Sequence, residues 1–286
     1  MAGFRYISSL VDGMNSGRFH SCTFRKIPSQ VTSAGWWADL SMAPGNPPPN
    51  YYVGNVAEST ALDGFRGIFH GDAKSPASKH LTSFGLITPG ATMVGHYMLL
   101  DYLLFYPFID CDDTDVQTTI NSTPLTRYTD GQGVQVMAVT VVPTTGSGRF
   151  IFTYVNQDGV EKTSPTQYCT TTASNIATIA TSQQATAGGC YGPFLNLAAG
   201  DSGVRSITSV QFLIANGGLI SLVLVKPIAE IAIREINTEA EASYVNKRPG
   251  ILPRIYDNAY LNFIVNPAGS ISAQTLKGSA NFTWSE

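Results

Sequence analysis

Charged side chains are scarce in this sequence. Asp, Glu, Lys and Arg make up 13% of its 286 residues, against about 25% in an average soluble domain. Nor is there an excess of positive charge: 17 Lys and Arg stand against 20 Asp and Glu, a net charge of −3. Nothing is in surplus to neutralise a phosphate backbone, so nucleic acid is not expected as a main partner. Apolar runs are short. The longest, Met98–Ile109, is interrupted by Asp101 and falls well below the roughly 20 residues a membrane span needs; no membrane partner is expected. The opening MAGFRYISSLVDGMNSGRFH has no apolar stretch of signal-peptide type, which points to folding in a cytoplasm. Cysteine is sparse too. Cys22, Cys111, Cys169 and Cys190 form no C-x-x-C pair, which argues against a zinc site. A Cys169–Cys190 bridge around the intervening loop is conceivable, but in a reducing compartment four free thiols are the stronger expectation.

What the sequence does contain is Gly, Pro and aromatic residues in quantity. Residues 1–60 read as an extended, irregular N-terminal arm. Pro28, Gly35 and the run APGNPPPN over 43–50 break any long element, and aromatics punctuate it throughout. Residues 61–286 read as the body, with 61–130 and 131–286 as two sub-parts. The segment over 91–110 is the most apolar and fits a buried strand pair or a short helix, with Pro107 as an ending. After Val134 the pattern is β. Val134–Val142 is β-branched, Phe150, Phe152 and Tyr154 recur at period two, and Asp158-Gly159 signals a hairpin turn. Val204–Ile214 alternates with a change of parity at Thr208, which predicts a bulge. Asn216-Gly217-Gly218 then predicts a hairpin into the apolar strand 219–225, and residues 255–265 and 280–285 give further strands. Short strands with regular turns predict an all-β chain, a β-sandwich or jelly-roll-like body.

Candidate chemistry is thin. Gly200-Asp201-Ser202-Gly203 matches the four residues around the nucleophile of trypsin-like proteases, but Val204 and Arg205 follow, and none of His20, His70, His80 or His96 sits in the context of a catalytic histidine. The motif reads as a turn opening the next strand, built on Asp201 and Gly203. The cluster Asp110, Asp112, Asp113, Asp115 would offer carboxylates to calcium, yet it lacks the glycine and terminal Glu of an EF-hand; a solvated loop is the simpler reading. No cofactor is implied.

The stretches FTYVNQDGVEKTSP (152–165), GDSGVRSITSVQF through GGLISLVLVKP (200–227) and LPRIYDNAYLNFI (252–264), with the opening MAGFRYISSL and the block DGFRGIFHGD, resemble virion structural proteins of tailed bacteriophages, capsid decoration (cement) proteins among them. The resemblance implies a sandwich or jelly roll, a homotrimer, docking on the major capsid protein at the virion's capsid surface, and no enzymatic role. Two rivals stand beside it. One is a tail or receptor-binding protein whose Trp36-Trp37 stack on a surface polysaccharide; the other is a hydrolase with dispersed active-site residues. The docking candidates are Phe4, Arg5, Tyr6, Phe19, Phe24, Arg25, Trp36 and Trp37, since aromatic and Arg side chains anchor interfaces. For residues 1–28 the competing reading is a strand completing the protein's own sheet.

Overall fold

The computed structural model describes residues 4, 6–29, 31–182, 192–245 and 252–285. Its elements in the first half are helix α1 (Ile7–Asn15) and strands β1 (Phe19–Lys26), β2 (Ala38–Asp39), β3 (Gly45–Asn46), β4 (Thr60–Ala61), β5 (Lys79–Ile87), β6 (Gly95–Asp110), β7 (Gln117–Thr118) and β8 (Gln135–Val142). The second half adds β9 (Arg149–Asn156), β10 (Glu161–Thr163), β11 (Gln167–Tyr168), β12 (Val204–Ile214), β13 (Leu219–Ile233), β14 (Ala240–Ser243), β15 (Arg254–Ile255), β16 (Leu261–Pro267) and β17 (Leu276–Trp284). All strand pairings between these elements are antiparallel.

The central sheet has the order β2-β16-β6-β13-β8, with β4 on β6. Its long strands β6 and β13 pair along almost their whole length. Both read as near-continuous apolar runs because both faces of this sheet are covered. On one face, Tyr97 and Leu99 of β6 and Ile231 and Ile233 of β13 pack with Phe24, Phe84, Phe263 and Phe282. The covering layer there is the sheet β14-β5-β17-β1-β3. Farther along the same face, Leu103 and Tyr106 of β6 and Leu222 and Leu224 of β13 meet Phe150, Phe152, Val210 and Phe212. The cover here is the sheet β10-β9-β12-β7. The opposite face presents Leu100, Tyr102, Phe105, Val223 and Val225, roofed by Trp37, Met42, Tyr52 and Leu62 of the N-terminal region and by Ile179. Two side-by-side sandwiches thus share one central sheet, and the all-β sandwich reading holds.

Several expectations need correction. Pro107 does not end its strand. β6 continues to Asp110, with Phe108 at positive φ and a register shift against β13 between Ile220 and Leu222, so the proline is absorbed in a bulge. The bulge expected at Thr208 is present as a shift between Ile207 and Ser209. The Asn216-Gly217-Gly218 turn is real, with both glycines at positive φ, but it does not close a hairpin. β12 pairs with β9 and β7, whereas β13 pairs with β6 and β8, so the turn carries the chain from one sheet to the one facing it. The 61–130 and 131–286 parts do not separate, because β6 lies between β13 and β16. Within residues 1–60, β1 lies between β17 and β3; that part of the expected arm is a strand of the body.

Candidate functional site

Geometry at GDSGV is that of a brace between strands. The Asp201 carboxylate accepts from the Tyr154 hydroxyl at 2.6 Å and from Asn156 Nδ2 at 2.8 Å, and the Tyr154 phenol holds it below the usual carboxylate range. Backbone N–H groups of Ser202 and Gly203 donate to Gln157 Oε1 at 3.0 and 3.2 Å. The Ser202 hydroxyl accepts from Gln132 Nε2 at 2.9 Å. Gly203 is required by close backbone approach: a Cβ there would lie 1.9 Å from the Gly131 carbonyl oxygen. The motif therefore ties the β9–β10 hairpin to the start of β12. Asp158 and Gly159 form the tip of that hairpin, where Asn156 Oδ1 accepts from the Asp158 and Val160 N–H groups at 3.0 and 2.9 Å.

The buried polar groups lie inside the core and fasten the N-terminal region to it. Asp39 is fully enclosed; its carboxylate accepts from Ser41 Oγ at 2.7 Å, from Tyr102 Oη at 2.7 Å and from Tyr52 Oη. Burial pushes this carboxyl up, against those hydrogen bonds. Lys26 Nζ donates to the Ala43 and Pro47 carbonyls at 3.0 and 2.9 Å, and burial lowers its pKa to about 8. His70 bridges Lys79 Nζ, at 3.1 Å from its Nδ1, and the Ala259 carbonyl, at 3.0 Å from its Nε2. The ammonium must donate, so Nδ1 accepts and Nε2–H donates, which is the neutral ring. Of these side chains the sequence drew notice only to His70, and only to set it aside as a catalytic histidine; isolated Asp, Lys and His carry no spacing signal.

The docking candidates separate into two groups. Phe24, Trp36 and Trp37 are buried. Phe24 lies against Phe263, with ring centroids 4.8 Å apart, and near Phe84. These three are core residues of this chain, which corrects their assignment as anchors and removes the stacking surface that motivated a sugar-binding role. Tyr6, Phe19 and Arg25 are exposed, and Phe4 is half-buried against His80; Arg5 lies outside the described residues. A further feature was missed. Helix α1 packs inward through Leu10 and Gly13, while Ile7, Val11 and Met14 are 65%, 44% and 39% exposed and Tyr6 is 72% exposed. Spacing of i, i+4, i+7 puts the three on one outward stripe. That signal was present in ISSLVDGMN but short enough to be read as irregular chain.

The acidic loop brings no metal-binding group together among the described residues. Its carboxylates instead brace the loop: Asp110 Oδ1 accepts from the Asp112 N–H at 2.9 Å, and Asp113 Oδ1 from the Asp115 N–H at 2.8 Å. Cys111 and Cys169 are buried free thiols and Cys22 is a half-buried one. Cys190, and with it a Cys169–Cys190 pairing, lies outside the described residues. No helix is long and apolar enough to cross a membrane among those described.

No family model matches this sequence, and no curated protein does. Among solved structures, the chain is similar to the VP2 subviral particle protein of infectious bursal disease virus, at 10% identity over 93% of this chain and 80% of that one, with a TM-score of 0.17. The D431N mutant of the same VP2, from T=1 particles, aligns at 10% identity over 93% of this chain and 77% of that one, with a TM-score of 0.16. Both are weak matches to a viral capsid protein, and neither score is high enough to assign a shared fold.

Proposed function

We propose that this protein is a structural component of a virion, without enzymatic activity, that decorates or cements the capsid shell of a tailed phage as an oligomer. The observation that carries this reading is the outward apolar stripe of α1. A nine-residue helix held to the body by Leu10 and Gly13 exposes Tyr6, Ile7, Val11 and Met14, and an amphipathic helix with i, i+4, i+7 anchors is a recurrent docking element. Low charge and a rigid three-sheet body suit a molecule whose surface is covered in an assembly. The sequence resemblance supplies the partner, the major capsid protein. A co-sedimentation assay tests the reading. Wild-type protein should pellet with undecorated heads, and an Ile7→Ser/Val11→Ser/Met14→Ser variant should remain in the supernatant while keeping its circular dichroism spectrum. Equal pelleting of the two would remove the helix from the docking role.

A further inference from the structure

Two exposed clusters of opposite sign lie on this molecule, and neither is matched by an ion pair among the described residues. On the outer face of the β1–β17 pair, Arg25 stands directly across from Lys277. Asn46 flanks Arg25 on β3 and Ile87 flanks Lys277 on β5. With Thr23, Ser279 and Glu239 these residues line an open groove of about 410 Å³. Like charges directly opposite in an antiparallel pair destabilise the sheet, and neither cation forms an ion pair among the described residues. Glu239 lies over Gly85 at the groove, and two cations against one carboxylate leave it positive.

The second cluster is the loop after β6, where Asp110, Asp112, Asp113 and Asp115 are all exposed. This loop is stiff. Besides the turns closed by Asp110 and Asp113, Gln117 clamps the Asp110 backbone from both sides, Oε1 accepting its N–H at 2.8 Å and Nε2 donating to its carbonyl at 2.7 Å. Each turn takes up one oxygen of its aspartate, and no cation pairs with these carboxylates among the described residues. One copy cannot bring the clusters together. The groove belongs to the sheet that covers Tyr97 and Leu99, the loop starts at Asp110, and β6 runs on the order of 40 Å between them.

We infer that the Asp110–Asp115 loop of one copy docks in the Arg25–Lys277 groove of a second copy, head to tail. Each cluster repels itself, and the contact relieves both. Charge complementarity selects a second copy as occupant, and the open form of the groove leaves room for a braced loop. The contact is heterologous, so it closes into a ring or continues as a chain, according to the rotation between copies. It rests on the reading of the chain as a shell component and names this chain as one of its own partners.

Sedimentation velocity across a concentration series tests it. The wild type should associate at low salt and dissociate at about 0.5 M salt, where screening shortens to below roughly 5 Å. Arg25→Glu/Lys277→Glu and Asp112→Lys/Asp113→Lys should each be monomeric and folded by circular dichroism. Mixed in equal amounts they should associate again, because the unchanged acidic loop of the first variant meets the unchanged basic groove of the second. If a reversal unfolds the protein, Arg25→Gln/Lys277→Gln replaces it and should be monomeric. A wild type that stays monomeric, association that survives both reversals, or reversed variants that stay apart when mixed would overturn the inference. Association lost by reversal while the chain is missing from virions would instead overturn the shell reading and leave this contact standing.

Discussion

Arg127 and Asp101 form a two-point ion pair, Nε to Oδ2 at 2.8 Å and Nη2 to Oδ1 at 2.6 Å, with both side chains shut off from solvent. Two further guanidinium hydrogens reach the Leu62 and Tyr102 carbonyls at 3.0 and 2.6 Å, and the Tyr260 N–H donates to Asp101 Oδ1 at 3.0 Å. The pair joins the loop before β8 to the middle of β6. Removing one partner leaves a buried charge uncompensated, which costs about 3–5 kcal/mol. Arg127→Met should therefore lose that much stability in urea denaturation, and adding Asp101→Asn to it should restore part of the loss.

His70 gives the fold a pH dependence of definite sign. Burial is the main cause that lowers its pKa from 6.5 to about 4, with the neighbouring Lys79 charge adding to it. Between those values the unfolded chain binds a proton that the folded chain does not. Stability is therefore full above pH 6.5 and falls as pH drops toward 4, by about 3 kcal/mol from this group. Across the same window, His70→Gln should show a fall smaller by that amount in denaturation curves measured at each pH.

The turn between β12 and β13 separates backbone strain from steric conflict. At Gly217, φ is 59° and an added Cβ would meet only the Thr145 side chain, at 3.1 Å. At Gly218, φ is 74° and the Cβ would lie 2.3 Å from the Pro143 carbonyl oxygen and 2.7 Å from that of Val142. Gly217→Ala should cost about 1 kcal/mol, the left-handed backbone term alone, and Gly218→Ala about 2–3 kcal/mol. Thermal unfolding of the two variants gives the comparison.

Ser202 and Asp201 should behave differently although they are neighbours. Ser202 is exposed and its side chain accepts from Gln132 Nε2, so Ser202→Ala should change stability by less than about 1 kcal/mol. Asp201→Ala strips partners from Tyr154 and Asn156 and should cost about 1–3 kcal/mol. A serine-reactive phosphonate should leave Ser202 unlabelled; labelling would mean a nucleophile that this turn does not explain.

The strands after Val134 were legible because alternation and turn chemistry are local. Phe150, Phe152 and Tyr154 point to one core by period alone, and the parity change at Thr208 marked a bulge before any pairing was known. Pairing itself was not legible. Asn216-Gly217-Gly218 has hairpin chemistry, yet partner choice is decided by long-range burial: Leu222 and Leu224 complete a sheet with β6 and β8 rather than with β12. The same blindness affected Trp36 and Trp37. Aromatics on an aperiodic segment look the same whether they cover their own sheet or a neighbour's, and here they cover their own. Phe24 was misplaced for a related reason, since the strand that holds it pairs with β17 at the other end of the chain.

We propose that this chain is built into a virion shell. Electron cryomicroscopy of purified particles that carry its gene, at a resolution that distinguishes strands, tests that most directly. Density on the shell that accepts the three-sheet body, with α1 turned toward the capsid surface, is the predicted result. Particles complete without this chain, with the protein found only in the host cell extract, would contradict it.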